Sequence, residues 1–134
     1  MTKNNRKLCL VDDDVIHQFI IKKLIQRVDN EKKDLLVFSN GEEAIRHLKS
    51  SYNDIEQLPD LILLDLNMPV MDGWEFLDEY NSIAPLLKKK IKIYILSSSK
   101  NPEDIKKAMT YTKISEYITK PINETQLSSI IEEI

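Results

Sequence analysis

The sequence predicts an α/β domain in which five βα units wind one parallel five-stranded sheet, with helices on both faces. Two observations carry this. Five short apolar runs (Leu8 to Val11, Leu35 to Phe38, Leu61 to Leu64, Ile91 to Leu96, and Tyr117-Ile118) alternate with segments whose apolar residues recur every three or four positions. The third run, Leu61-Ile62-Leu63-Leu64, is apolar without interruption, as expected of a strand covered on both faces. Parallel neighbours need helical crossovers, and right-handed crossovers place the helices on both sides of the sheet.

Each helix has its own signal. After Asp14, the residues Ile16, Phe19, Ile20, Leu24, Ile25 and Val28 form one stripe, expected to be buried, with Lys22, Lys23 and Gln26 facing water. Gly41 to Leu48 repeats the pattern through Ala44, Ile45 and Leu48, and Asp72 to Tyr80 does so through Trp74, Phe76 and Leu77. Pro102 to Met109 opens with Asn101 as N-cap and proline at the first helical position. Asn123 to Ile134 supplies Leu127, Ile130, Ile131 and Ile134. Five such units fit the flavodoxin-like order 2-1-3-4-5, with its switch point between the first and third strands.

The 134 residues suit a single domain spanning 1–134, with no output domain expected. At 42% hydrophobic and 31% charged, the chain can fill a core and keep a solvated surface. A net charge of −3 argues against a nucleic-acid or anionic-membrane partner. The run Lys88-Lys89-Lys90 reads as a solvated loop. No stretch approaches the ~18 apolar residues of a membrane span, and the polar N-terminus lacks a signal-peptide core. A cytoplasmic location is therefore expected, with the single Cys9 a buried, inert thiol.

Ligands of doubly wound sheets bind beyond the carboxyl ends of the strands. The first strand ends in Asp12-Asp13-Asp14 and the third in Asp65, so these carboxylates should share one crevice. Crowded carboxylates repel, and a hard divalent cation such as magnesium offsets that repulsion through oxygen ligands. Asp14 alone is explained as the N-cap of the following helix. The fourth strand ends in Ser97-Ser98-Ser99 and the fifth in Thr119-Lys120-Pro121, which puts a hydroxyl and an ammonium at the same edge. Ser97 and Lys120 could then bind phosphoryl oxygens beside a carboxylate nucleophile. Only two glycines occur, Gly41 and Gly73, so a glycine-rich nucleotide loop is excluded. His17 and His47 have no metal-ligand spacing and read as exposed helical residues.

At these positions the chain resembles the single-domain receivers of bacterial two-component response regulators, over nearly its whole length. Leu10-Val11-Asp12-Asp13 is similar to the acidic-pair motif. Leu63-Leu64-Asp65-Leu66-Asn67-Met68-Pro69 with Met71-Asp72-Gly73 resembles the phosphoacceptor strand and loop. Ile95-Leu96-Ser97 and Tyr117 through Lys120-Pro121 match the later motifs. The resemblance implies Asp65 as phosphoacceptor, with magnesium (manganese able to substitute) held by Asp13 and Asp65. Asp12 would reach the metal mainly through water, and Asn67 through its backbone carbonyl. It further implies Ser97 and Lys120 as phosphoryl-binding groups, Ser97 and Tyr117 as the switch pair, and Asn67 and Ser99 as residues tuning the phosphoryl lifetime. The implied partners are a sensor histidine kinase or histidine phosphotransfer protein, and a downstream protein target on the face of the fourth helix, fifth strand and fifth helix. Beyond self-phosphorylation and slow autodephosphorylation, no multiple-turnover enzyme activity is expected.

Two departures stand out. The connection from Ser50 to Asp60 is long for the family, and Lys113-Ile114 replace a common Gly-Ala pair, so a left-handed backbone at Lys113 would be strained. Two rival readings exist: a receiver-like scaffold that works without phosphorylation, and a haloacid-dehalogenase-type phosphatase. The phosphatase needs a second aspartate two residues after its nucleophile, where this chain has Asn67.

Overall fold

The computed structural model describes residues 6–28 and 33–134; the polar N-terminal residues 1–5 lie outside the described residues. The elements are β1 (Arg6–Val11), α1 (Val15–Val28), β2 (Lys33–Phe38), α2 (Gly41–Ser50), β3 (Leu61–Leu64), α3 (Gly73–Ile83), β4 (Lys92–Ser97), α4 (Pro102–Met109), β5 (Ile114–Thr119) and α5 (Glu124–Glu132), with a short 3-10 turn at Ala84–Leu86. All strand pairings are parallel, in the order β2-β1-β3-β4-β5, as the alternation of runs predicts.

The strand period of two divides the core into two layers. Cys9 and Val11 of β1, with Ile62 and Leu64 of β3, pack beneath α2 and α3 against Ala44, Leu48, Phe76 and Leu77. Leu8, Leu10, Leu61 and Leu63 point the other way, to Ile21 and Ile25 of α1 and Leu127, Ile130 and Ile131 of α5. Burial pushes the Cys9 thiol well above its ordinary pKa, as expected of an inert core sulfur. The caps follow their sequence signals. Asn101 accepts from the Glu103 N–H at the start of α4, and Asp72 and Asn123 form capping boxes with Glu75 and Gln126.

Three expectations need correction. The stripe proposed for α1 is turned: Val15 (74% exposed), Ile16 (72%), Phe19 (59%) and Ile20 (44%) face solvent, while His17, Ile21 and Ile25 face the sheet. His17 is thus buried rather than exposed, because it has a carboxylate partner inside. Lys89 is not part of a solvated loop. Its ammonium lies 3.2 Å from the buried Asp60 and donates to the Leu58 carbonyl at 2.9 Å. Lys88 and Lys90 are exposed, as expected. His47 is half-buried; its Nε2 lies 2.9 Å from the Gln57 carbonyl, and its ring lies against Phe38.

The long connection before β3 is anchored where it ends. Leu58 is buried, and Asp60 accepts from the Lys7 N–H at 3.0 Å. Lys113 escapes the strain its position implied: among the described residues the only non-glycine with positive φ is Val70, at 68°. The chain reaches β5 through a turn and a register shift opposite Ile93 and Tyr94.

Candidate phosphoacceptor pocket

The register of the sheet builds the pocket. Val11 lies opposite Leu64, so Asp12 and Asp65 leave adjoining strands at one level. The Asp65 N–H donates to the Val11 carbonyl at 2.9 Å, continuing the ladder into the site. Leu64 lies opposite Ile95, which sets Ser97 one step beyond Asp65 on the other side. The Lys120 N–H donates to the Ser97 carbonyl at 2.8 Å, bringing the end of β5 in, and the following Lys120–Pro121 peptide is cis.

Lys120 is the centre of the charges. Its Nζ lies 3.1 Å from Asp12 Oδ2 and 3.5 Å from Asp65 Oδ2. Carboxylate oxygens of Asp12, Asp13 and Asp65 all lie within 4.8 Å of one another, with Asp12 and Asp65 buried and Asp13 exposed at the rim. This all-oxygen donor set suits magnesium or manganese and not a soft metal. Asp14 does what a cap does: its Oδ1 accepts from the Ile16 and His17 N–H groups at 2.9 and 3.3 Å.

The two buried carboxylates are pushed apart in pKa. Burial would raise Asp12, but hydrogen bonds from His17, the Asp14 N–H and Lys120 outweigh it and hold the carboxyl below its usual range. Burial also raises Asp65, and the nearby Asp12 charge adds to it. Lys120 and the Leu66 and Asn67 N–H groups offset only part, leaving Asp65 above its ordinary value. A cation beside Asp65 would relieve both causes.

The loop after Asp65 is held by close backbone approach. A Cβ on Gly73 would stand 2.6 Å from the Asp65 carbonyl and 2.8 Å from Leu66 Cα, so only glycine lets α3 start there. Asn67 is exposed beside the carboxylate. On the β4 side, the buried Ser97 Oγ accepts from the Ser99 N–H at 3.1 Å. The Ser99 hydroxyl donates to Asp104 at 2.6 Å, and the Ser99 carbonyl accepts from Tyr117 Oη at 2.8 Å. Tyr117 therefore reaches Ser97 through Ser99 rather than directly. Sequence reasoning brought together Asp12, Asp13, Asp65, Ser97 and Lys120; it missed His17, whose Nδ1 lies 2.5 Å from Asp12 Oδ2. The available signal was its spacing of four and eight residues from Ile21 and Ile25 on one helical face.

Acids, a hydroxyl and a lysine thus gather at the carboxyl edge of a five-stranded doubly wound sheet, the architecture of a receiver-type signalling domain. A family model described as the response regulator receiver domain matches residues 8–132, and the chain belongs to this family. It is similar to a two-component response regulator from Cytophaga hutchinsonii, at 28% identity and a TM-score of 0.84, covering 98% of this chain and 97% of that one. It also resembles the phosphorylated cyanobacterial phytochrome response regulator RcpA, at 33% identity and a TM-score of 0.70, covering 96% and 90% of the two chains. Among curated proteins it is 26% identical to the probable methanogenesis regulatory protein FilR2 of Methanothrix harundinacea, over 95% of this chain and 79% of that protein. It spans 14% to 53% of the length of several further curated relatives. Receiver domains are signalling proteins rather than classical enzymes; the family typically binds magnesium and works between histidine kinases and downstream effectors. No helix among the described residues is long and apolar enough to cross a membrane.

Proposed function

We propose that this receiver domain accepts a phosphoryl group on Asp65 from a phosphohistidine of a kinase or phosphotransfer protein. The observation that carries the reading is the Lys120 ammonium set 3.1 Å from Asp12 and 3.5 Å from Asp65, at the mouth of three converging strands. An Asp65 oxygen attacks phosphorus in line, the P–N bond breaks, and the donor imidazole, protonated on its other ring nitrogen, leaves neutral with the electron pair. Lys120 and the Ser97 hydroxyl take phosphoryl oxygens. Asp13, Asp65 and the Asn67 carbonyl would hold magnesium, with Asp12 acting through water; when bound, the cation supplies charge neutralisation for the transferring group.

The switch follows from the hydrogen-bond chain. Turning the Ser97 hydroxyl towards a phosphoryl oxygen withdraws the acceptor of the Ser99 N–H. The carbonyl of the same residue anchors Tyr117, so its ring is released to move inward. The affected surface is α4, β5 and α5, where a protein target would read the change. Asn67, exposed beside Asp65, would govern water access, and Ser99 the loop, so together they would set the lifetime of the phosphoryl group.

A protein donor is favoured by the exposed apolar residues Val15, Ile16, Phe19 and Ile20, which begin three residues after Asp12 at the pocket's rim. Acetyl phosphate with magnesium should add one phosphoryl mass to the wild type, labile to hydroxylamine. Asp65→Asn should abolish it, and an equally labile phosphate on that variant would overturn the assignment.

A further inference from the structure

His17 sits in the first turn of α1, on the face that carries Ile21 and Ile25 towards the sheet, and is 9% exposed. Its Nδ1 lies 2.5 Å from Asp12 Oδ2. A carboxylate oxygen only accepts, so the ring carries a proton on Nδ1. The Asp12 carboxylate is thus held on both oxygens: Oδ1 by the Asp14 N–H at 2.9 Å, and Oδ2 by His17 and by Lys120 at 3.1 Å.

We propose that His17 is a positioning residue of the pocket, fixing the Asp12 carboxylate so that its Oδ2 tethers the Lys120 ammonium beside Asp65. This rests on the phosphoacceptor reading above. The terminal torsion of an aspartate is broad, so the orientation of Asp12 is set by its donors rather than by a rotamer well. The Asp14 N–H fixes one oxygen. Lys120 ends a flexible four-carbon stem and cannot by itself fix the other. His17 can, because its own backbone is locked: its N–H is capped by Asp14, and the neighbouring Gln18 side chain donates to the Asp12 carbonyl at 2.6 Å. The first turn of α1 therefore closes around Asp12 from three sides. With its carboxylate occupied in this way, Asp12 would act on a divalent cation through water, while Asp13 and Asp65 would hold it. Partners that orient a metal site from behind typically change its affinity 10- to 100-fold when removed.

The test compares His17→Asn, whose amide N–H replaces Nδ1–H, with His17→Gln and His17→Leu, which place no donor there. Magnesium affinity is measured by calorimetry, Asp65 labelling by acetyl phosphate is followed by mass, and thermal melting in chelator checks folding. Nitrogen NMR of the wild type should show the Nδ1–H tautomer at His17, lost in Asp12→Asn. We expect Gln and Leu to weaken magnesium about tenfold and slow labelling in proportion, and Asn to stay within about threefold of wild type. Equal magnesium affinities for folded Asn and Gln variants, or an Nε2–H tautomer, would overturn the role of His17 while leaving the phosphoacceptor reading intact. If Leu fails to fold, the Asn and Gln pair decides. If the wild type takes no phosphoryl group on Asp65, the functional reading falls instead, and the magnesium affinities still decide on His17.

Discussion

At the scale of single residues, the pocket stores an electrostatic cost in Asp65. Its pKa is raised in the fold, first by burial and then by Asp12, so folding favours its protonated form. A raised carboxyl gives stability that is fully present below the unfolded value, about 3.9, and is lost as pH rises through the folded value. Above the folded value the metal-free protein therefore carries an ionised group the fold disfavours. Asp65→Asn should melt at a higher temperature than wild type in chelator at pH 7, and the gap should close as pH falls below about 4. An unchanged or lower melting temperature at pH 7 would show that Lys120 fully compensates the charge. Asp12 has the opposite sign: its lowered pKa adds stability above the unfolded value, lost as pH falls through the folded one.

Among the elements, α1 carries the most information that the sequence did not yield. Its apolar pattern was legible, but its orientation was not. The pattern counted Ile16, Phe19 and Ile20 as core and His17 as surface, whereas the hydrogen bond to Asp12 pulls His17 inward and rotates the apolar residues out. Periodicity weighs side chains by hydrophobicity and does not see a partner 2.5 Å away. The outward face should be the docking surface for a phosphodonor protein. Phe19→Glu should slow phosphotransfer from a cognate phosphohistidine protein at least about tenfold, the loss of one well-buried interface side chain. Its labelling by acetyl phosphate should match wild type; parallel loss of both would place Phe19 in the fold rather than the interface. β5 was legible only at Tyr117-Ile118, because Ser115 and Glu116 of this edge strand are exposed and polar. The strand ends were the most readable feature, since Asp12, Asp65 and Ser97 follow an apolar run directly and Lys120 follows one after a single threonine.

Across the whole molecule, the two edges of the sheet are built differently. At the amino edge, Asp60 joins Lys7 of β1 to Lys89 ahead of β4, and its carbonyl accepts from the Lys92 N–H at 3.1 Å. Lys89→Met would take the ammonium away from the buried Asp60 carboxylate, which keeps the Lys7 N–H, and from the Leu58 carbonyl. It should cost about 2 kcal/mol in urea denaturation, against less than about 0.5 for exposed Lys88→Met. Equal effects at the two positions would reduce the Asp60 pair to a surface contact. The carboxyl edge has its own brace, Lys120 between Asp12 and Asp65, and is shaped besides by close approach. A Cβ on Gly41 would meet the Met71 carbonyl at 2.9 Å, as one on Gly73 would meet that of Asp65 at 2.6 Å, so both glycines of the chain grip one loop. The setting of Asp65 is thus shaped by two missing side chains as much as by the ones displayed. Pro69 on the loop's outer surface is exposed and open to change, while a single added carbon at position 41 or 73 would be felt at once.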